Sequence, residues 1–161
     1  MQLTKRIGAM ICIAAVSTIV IGSMPAAADH HEEEKPALYD RLGGVYAIAT
    51  VIDVFMDKLY VNETLNANPA IFEARNRVPM AGLKYRVIEM VCGATGGPCT
   101  YTGRSMKDTH KNLNITEMEW DAMVADLVAT LDEFKVPKEE QHELLQILGS
   151  TKGDIVVTTS N

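Results

Sequence analysis

From Val45 the apolar positions Val45, Ile48, Ile52, Phe55, Met56 and Leu59 recur at steps of three and four. That spacing places side chains on one face of a helix. A second face of this kind comprises Leu83, Val87, Met90, Val91 and Ala94, in a helix that Pro79 begins. A third comprises Trp120, Met123, Val124, Leu127, Val128, Leu131 and Phe134, and a fourth Leu144, Leu145, Ile147 and Leu148, with Ile155, Val156 and Val157 as an extension. Strict alternation, the mark of a half-buried strand, is missing before those last residues. The pattern predicts an all-α domain with four substantial helices, two and two around a short loop-bound segment.

Polar positions punctuate these stripes. "LYDRLGG" predicts a helical turn stopped at Gly43–Gly44, because glycine tolerates the left-handed backbone of a helix terminus. An Asn-rich connection containing Pro69 follows the first long helix, with Phe72 its one large apolar anchor. "GATGGP" ends the second, since Gly96 and Gly97 weaken a helix and Pro98 cannot continue one. Thr116 and Glu119 have the spacing of a capping box, which opens the third. Pro137 suits the first position of the fourth, and Glu139 and Glu140 suit its dipole. Between the second and third lies "YTGRSMKDTHKNLNIT", one or two helical turns bearing a single imidazole, His110. By itself that residue is either an ordinary solvated histidine or a nitrogen ligand to something across the fold.

The N-terminus changes the picture. Lys5 and Arg6 precede an apolar run from Ile7 to Gly22, and Ala26–Ala28 offer the small residues of a cleavage site. This is the layout of a secretory signal peptide over residues 1–28, too short in its apolar core for an ordinary membrane span. An uncleaved anchor is the alternative, and it is the expected route to any membrane contact. Ile11 before Cys12 is too bulky for lipoprotein processing. Residues 29–36, "DHHEEEKP", form a charged flexible lead-in in which His30 and His31 solvate, and the folded domain spans 37–158.

The whole chain of 161 residues carries 15 basic and 21 acidic side chains. Loss of residues 1–28 leaves 13 basic against 21 acidic, a formal charge of −8. An acidic domain is a poor partner for nucleic acid, whose affinity comes from Lys and Arg neutralising phosphates. Cys92 and Cys99 form neither a haem-attachment motif nor a structural zinc site. In a periplasmic or secreted protein they can join across the Gly-rich turn or remain two free thiols.

Taken in order, "LYDRLGG", "GGP", "YTGRSM", His110 and "ITEMEWDAMVADLVATLDEFKVP" resemble the truncated haemoglobins, most closely their first group. The likeness spans roughly Leu38 to Val157. It implies a two-over-two helical sandwich whose proximal histidine, here His110, holds the iron of haem b (iron protoporphyrin). An imidazole can hold haem iron from one side and leave the other open to a diatomic ligand. Its second ring nitrogen should donate to a carbonyl or carboxylate, which fixes the tautomer. His142 is the fallback ligand, on a solvent face among acidic neighbours.

On the distal side the chain departs from the family. Met56 follows Phe55 where many members have Tyr, and Val87 stands where many have Gln. The resemblance places Leu83 and Val87 over the iron, Phe72 as a wedge against the porphyrin, and Lys84 and Arg86 near the propionates. Met106 and Tyr101 line the proximal edge or simply pack. Met56, Leu83 and Val87 offer no hydrogen-bond donor to bound dioxygen, which predicts faster release and easier autoxidation; alternatively Tyr85, Lys84 or Arg86 supplies one. The implied function is binding of oxygen, nitric oxide or CO. Nitric oxide detoxification would need a separate reductase, because the chain has no flavin or nicotinamide domain. The rival readings are a haem carrier without gas chemistry and a haem-free helical interaction module.

Overall fold

The computed structural model describes residues 34–157. The expected signal peptide and the His30–His31 pair lie outside them. Nine helices follow one another among the described residues: α1 (Leu38–Arg41), α2 (Gly44–Val61), α3 (Glu63–Asn66), α4 (Pro69–Asn76), α5 (Met80–Ala94), α6 (Met106–His110), α7 (Glu117–Glu133), α8 (Lys138–Ser150) and α9 (Lys152–Ile155). The four long ones, α2, α5, α7 and α8, carry the four apolar stripes. Together they make the two-over-two helical sandwich that the resemblance implies.

Each boundary has a local cause. Gly43 stands before α2 with φ of 90°, a left-handed conformation that costs glycine little. α7 opens with a complete capping box: Thr116 Oγ1 accepts from the Glu119 amide, while the Glu119 carboxylate accepts from the Thr116 amide. Pro137 immediately precedes α8, one position earlier than the sequence predicts. The connection after α2 is more ordered than expected. Asn62 Oδ1 accepts from the Leu65 amide at 3.1 Å and caps α3. Asn68 Oδ1 accepts from the Ala70 amide at 2.9 Å and caps α4, with Pro69 at its first position. The Asn residues are therefore helix starts, as their acceptor oxygens suit them to be. Leu65 and Ile71 are the buried anchors there, and Phe72 is 54% exposed.

The core gathers Ile48, Ile52, Phe55 and Met56 of α2 with Leu127 and Leu131 of α7. Leu83, Val87 and Val91 of α5 and Leu144, Leu145 and Leu148 of α8 pack around it. Full burial of a leucine such as Leu131, 1% exposed, stabilises by about 1.5–3 kcal/mol. At the N-terminal side Arg41 pairs with Glu140 at 2.7 Å and with Glu143, so α1 is bound to the start of α8. The C-terminal residues return to the loop beyond α6, where the Val157 amide donates to the Ile115 carbonyl at 2.8 Å. Ile115 and Val156 thus form a single bridge, the only trace of extended pairing among the described residues. No described helix is long and apolar enough to cross a membrane.

Candidate functional site

A cavity of about 880 Å³ opens between the helical layers. α2 contributes Phe55 and Met56 to its wall, α5 contributes Leu83 and Val87, and α7 contributes Met123 and Leu127. α6 adds Met106 and His110 to the same lining. The lining is aliphatic and aromatic because four amphipathic faces converge there. Its polar groups include four arginines, Arg75, Arg77, Arg86 and Arg104, together with the carboxylates of Asp108 and Glu119.

α6 is one short helix built largely on hydrogen bonds of its own neighbourhood. Ser105 Oγ accepts from the Asp108 amide at 3.1 Å and donates to the Asp108 carboxylate at 2.9 Å. Arg104 Nη2 donates to the Asp108 carbonyl at 2.7 Å. At its end His110 Nδ1 lies 2.8 Å from the Met106 carbonyl oxygen. A carbonyl only accepts, so Nδ1 carries the proton and Nε2 keeps its lone pair. Met106 therefore lines the cavity and also supplies the acceptor that the sequence could not name. His142 is exposed on α8 and takes no part.

Six of the eight residues expected at the site come together on this cavity: Met56, Leu83, Arg86, Val87, Met106 and His110. Two do not. Lys84 Nζ donates to Asp53 at 2.6 Å and to Asp57 at 2.7 Å, tying α5 to α2 away from the cavity. Hydrogen bonds to those carboxylates hold its pKa above the ordinary lysine value, so it stays an ammonium. Its place one residue after Leu83 turns it to the neighbouring helix. Phe72 also faces away, since Ile71 takes the inward direction of α4.

Arg86 is braced at the rim. Its Nη1 donates to Glu89 at 2.8 Å and also to Thr102 Oγ1, while Thr102 donates to Glu89 at 3.2 Å. Burial of Glu89 works to raise its pKa. Hydrogen bonds from Arg86, Tyr85 and Thr102, with the Arg86 charge, outweigh that and hold it below the usual carboxylate range. Cys92, at the end of α5, is joined to Cys99 by a disulfide with Cα atoms 5.7 Å apart. This closes the question the sequence left open and fixes where the loop toward α6 departs. Across the same turn, a Cβ at Gly97 would lie 2.4 Å from the Tyr39 ring, so only glycine fits.

Sequence reasoning missed Tyr60 and Arg75, which also line the cavity. Tyr60 follows Met56 by four residues, and one more step along that stripe would have found it. Arg75 had no comparable signal, because its place depends on how α4 folds back.

A large apolar space with one oriented imidazole and arginines at its rim suits a flat, mostly apolar macrocycle with a metal centre and acidic edges. The class defined by fold and site together is a globin with a shortened helical set. Residues 37–157 match the family model for bacterial-like globins. The chain is 31% identical to the group 1 truncated haemoglobin GlbN of Mycolicibacterium paratuberculosis over 122 residues, covering 76% of this chain and 85% of that one. It is 26% identical to the group 1 truncated haemoglobin of Tetrahymena thermophila, covering 75% and 95%. Among solved structures, the 2/2 haemoglobin of Synechococcus sp. PCC 7002, in its cyanomet state with covalently attached haem, superimposes with a TM-score of 0.67. That pair is 28% identical and covers 75% of this chain and 98% of that one. The Fe(III) truncated haemoglobin of Tetrahymena pyriformis, 24% identical with a TM-score of 0.64 over 76% of this chain and 100% of that one, shares the fold. The chain belongs to the bacterial-like globins, within the group 1 truncated haemoglobins.

Proposed function

We propose that this globin binds haem b through His110 and uses it to hold a small diatomic gas, in a compartment outside the cytoplasm. One observation carries the reading: His110 lines the 880 Å³ apolar cavity with Nδ1 bonded to the Met106 carbonyl, which leaves Nε2 for iron. When bound, haem supplies an iron that takes dioxygen, nitric oxide or CO. The residues of this chain do the rest. Met106 orients the imidazole, while Met56, Leu83 and Val87 would keep water from the gas side and Arg86, braced by Glu89 and Thr102, would meet the propionates.

The apolar gas side sets the expected behaviour. Bound dioxygen carries partial negative charge, and a donor beside it is worth roughly 1–3 kcal/mol in a dry pocket. Without one among Met56, Leu83 and Val87, release and autoxidation are fast. Detoxification of nitric oxide fits this site when a separate reductase supplies electrons: nitric oxide, dioxygen and one electron give nitrate. Export is supported by the N-terminal sequence pattern and by the Cys92–Cys99 disulfide, a bond that persists in oxidising compartments.

The test is spectroscopic. The mature protein loaded with haem should show an iron–histidine vibration in the ferrous state, lost in His110→Gly and restored by added imidazole. Persistence of that vibration in the variant without imidazole sinks the assignment. Val87→Gln should slow dioxygen release roughly tenfold or more, the effect of one added donor.

A further inference from the structure

We infer that residues 98–104 form a strap across the cavity that swings aside to admit and release haem. Cys99 holds one end of this strap and Thr102 holds its middle, so these two residues set how fast haem crosses. The inference rests on the haem-binding reading above and adds to it the path into the site.

Haem is a rigid plane, so part of the cavity wall must move aside to let it pass. The long helices resist this, because Ile48, Ile52, Leu127 and Leu131 interlock between them. Hydrogen bonds then separate the non-helical stretches of the lining. At the corner between α4 and α5, Arg77 and Val78 line the cavity, and their amides donate to the Ala74 carbonyl at 3.2 Å and the Arg75 carbonyl at 3.3 Å. Between α6 and α7, the Leu113 amide donates to the His110 carbonyl at 2.8 Å, and the Leu113 carbonyl accepts from Asn68 Nδ2 at 2.9 Å. The strap supplies Tyr101, Thr102, Gly103 and Arg104 to the lining. Yet none of the backbone–backbone hydrogen bonds among the described residues involves residues 98–104. A stretch without such bonds opens at the low end of the local stability range.

What holds the strap is therefore a short set of pins. The Cys92–Cys99 disulfide fixes its first end to α5, and the Cys99 carbonyl lies so near that helix that a Cβ at Gly93 would be 3.0 Å from it. At the other end Ser105 caps α6. Between these ends the Thr102 hydroxyl lies 3.3 and 3.2 Å from the two oxygens of Glu89 and accepts from Arg86, which latches the strap to α5. Its other polar side chains turn back along the chain: the Tyr101 hydroxyl donates to the Arg104 carbonyl at 2.8 Å, and Arg104 Nη2 to the Asp108 carbonyl at 2.7 Å. Loss of the Thr102 hydroxyl frees the middle, and loss of the disulfide frees an end. Either change lowers the barrier that haem meets from both sides, so uptake and release rise together.

The experiment measures both directions of haem traffic. Uptake is followed after mixing the haem-free mature chain with monomeric CO-bound ferrous haem, and release by transfer from the loaded chain to an excess of an avid apoglobin. Thr102→Val should raise both rates roughly threefold or more, the size of one lost hydrogen bond. The Cys92→Ser, Cys99→Ser double variant should raise both roughly tenfold or more, since a covalent pin constrains the chain further than a polar one. The ratio of the two rates, and so the affinity, should stay near the wild-type value. Leu131→Ala, in the core between α2 and α7, should speed release alone. Unchanged rates in Thr102→Val and the double variant overturn the strap, as does faster release with uptake unaltered, or an equal gain of both rates in Leu131→Ala. If the cysteine variant does not fold, Thr102→Val decides alone. A chain that takes up no haem sinks the binding reading itself, whereas uptake at unchanged rates removes only the strap.

Discussion

The wall that α2 and α5 present to the cavity and the turn that presents His110 to it are held by different forces. The wall is two long helices whose buried side chains, Ile48, Ile52, Phe55 and Met56 among them, interlock with Leu127 and Leu131. α6 has five residues, none of them buried. Its order comes from the Ser105 cap, the Arg104 contact and the His110–Met106 bond, each worth about 1 kcal/mol net. Burial makes the wall insensitive to what it encloses. The turn, with little area to bury, depends on local polar bonds and on whatever its imidazole grips. The site is thus held by burial on the side of the long helices and by local polar bonds on the side that presents the imidazole.

Removing haem should break this contrast most widely. At a free haem concentration about 1,000 times its dissociation constant, loading stabilises the native state by about 4 kcal/mol. We expect at least that difference in denaturant unfolding, with amide exchange rising first over residues 105–113 and last in α2 and α7. Uniform loss of protection would contradict the division. Leu131→Ala, at a position 1% exposed, should cost about 3–5 kcal/mol in unfolding free energy, because a cavity remains where the side chain was.

The disulfide joins the two regions and is next in size. It closes a short loop with a sequence separation of 7. The chain-entropy argument gives about 2.5 kcal/mol for a loop of this length. The Cys92→Ser, Cys99→Ser double variant should lose that much stability while α2 and α7 keep their exchange protection. Ser105→Ala should cost about 1 kcal/mol, the value of one helix cap. Its sharper signature is faster haem transfer to an acceptor globin, with no change in the protection of α2.

The smallest expected effect is acidic. Burial pushes the Glu89 carboxyl up, but hydrogen bonds from Arg86, Tyr85 and Thr102 overcome it and leave the folded pKa depressed. Glu143 is likewise depressed by Lys35 and Arg41. For a depressed carboxylate the stabilisation is complete above its unfolded pKa, about 4.3, and disappears as pH falls through the folded value. Unfolding midpoints should therefore be flat from about pH 7 to about 5 and fall below it. Glu89→Gln should make that fall shallower, and an unchanged slope would remove the rim clamp from the account.

The apolar periodicity of this chain was enough to determine its four long helices, because steps of three and four leave each stripe only one way to be buried. The Thr116–Glu119 capping box and the Gly-rich stop before Pro98 were equally legible, since their causes lie within a few residues. Met56, Leu83, Val87, Met106 and His110, which the family resemblance singled out, all line the cavity. What the tertiary structure decided depends on partners distant in sequence. Lys84 turned to Asp53 and Asp57, 31 and 27 residues away. Cys92 found Cys99. The fold-back of α4 sent Phe72 outward and brought Arg75 under Tyr60. Local pattern fixes which face of a helix is apolar, and only packing in three dimensions fixes which neighbour a polar side chain meets at the edge of that face.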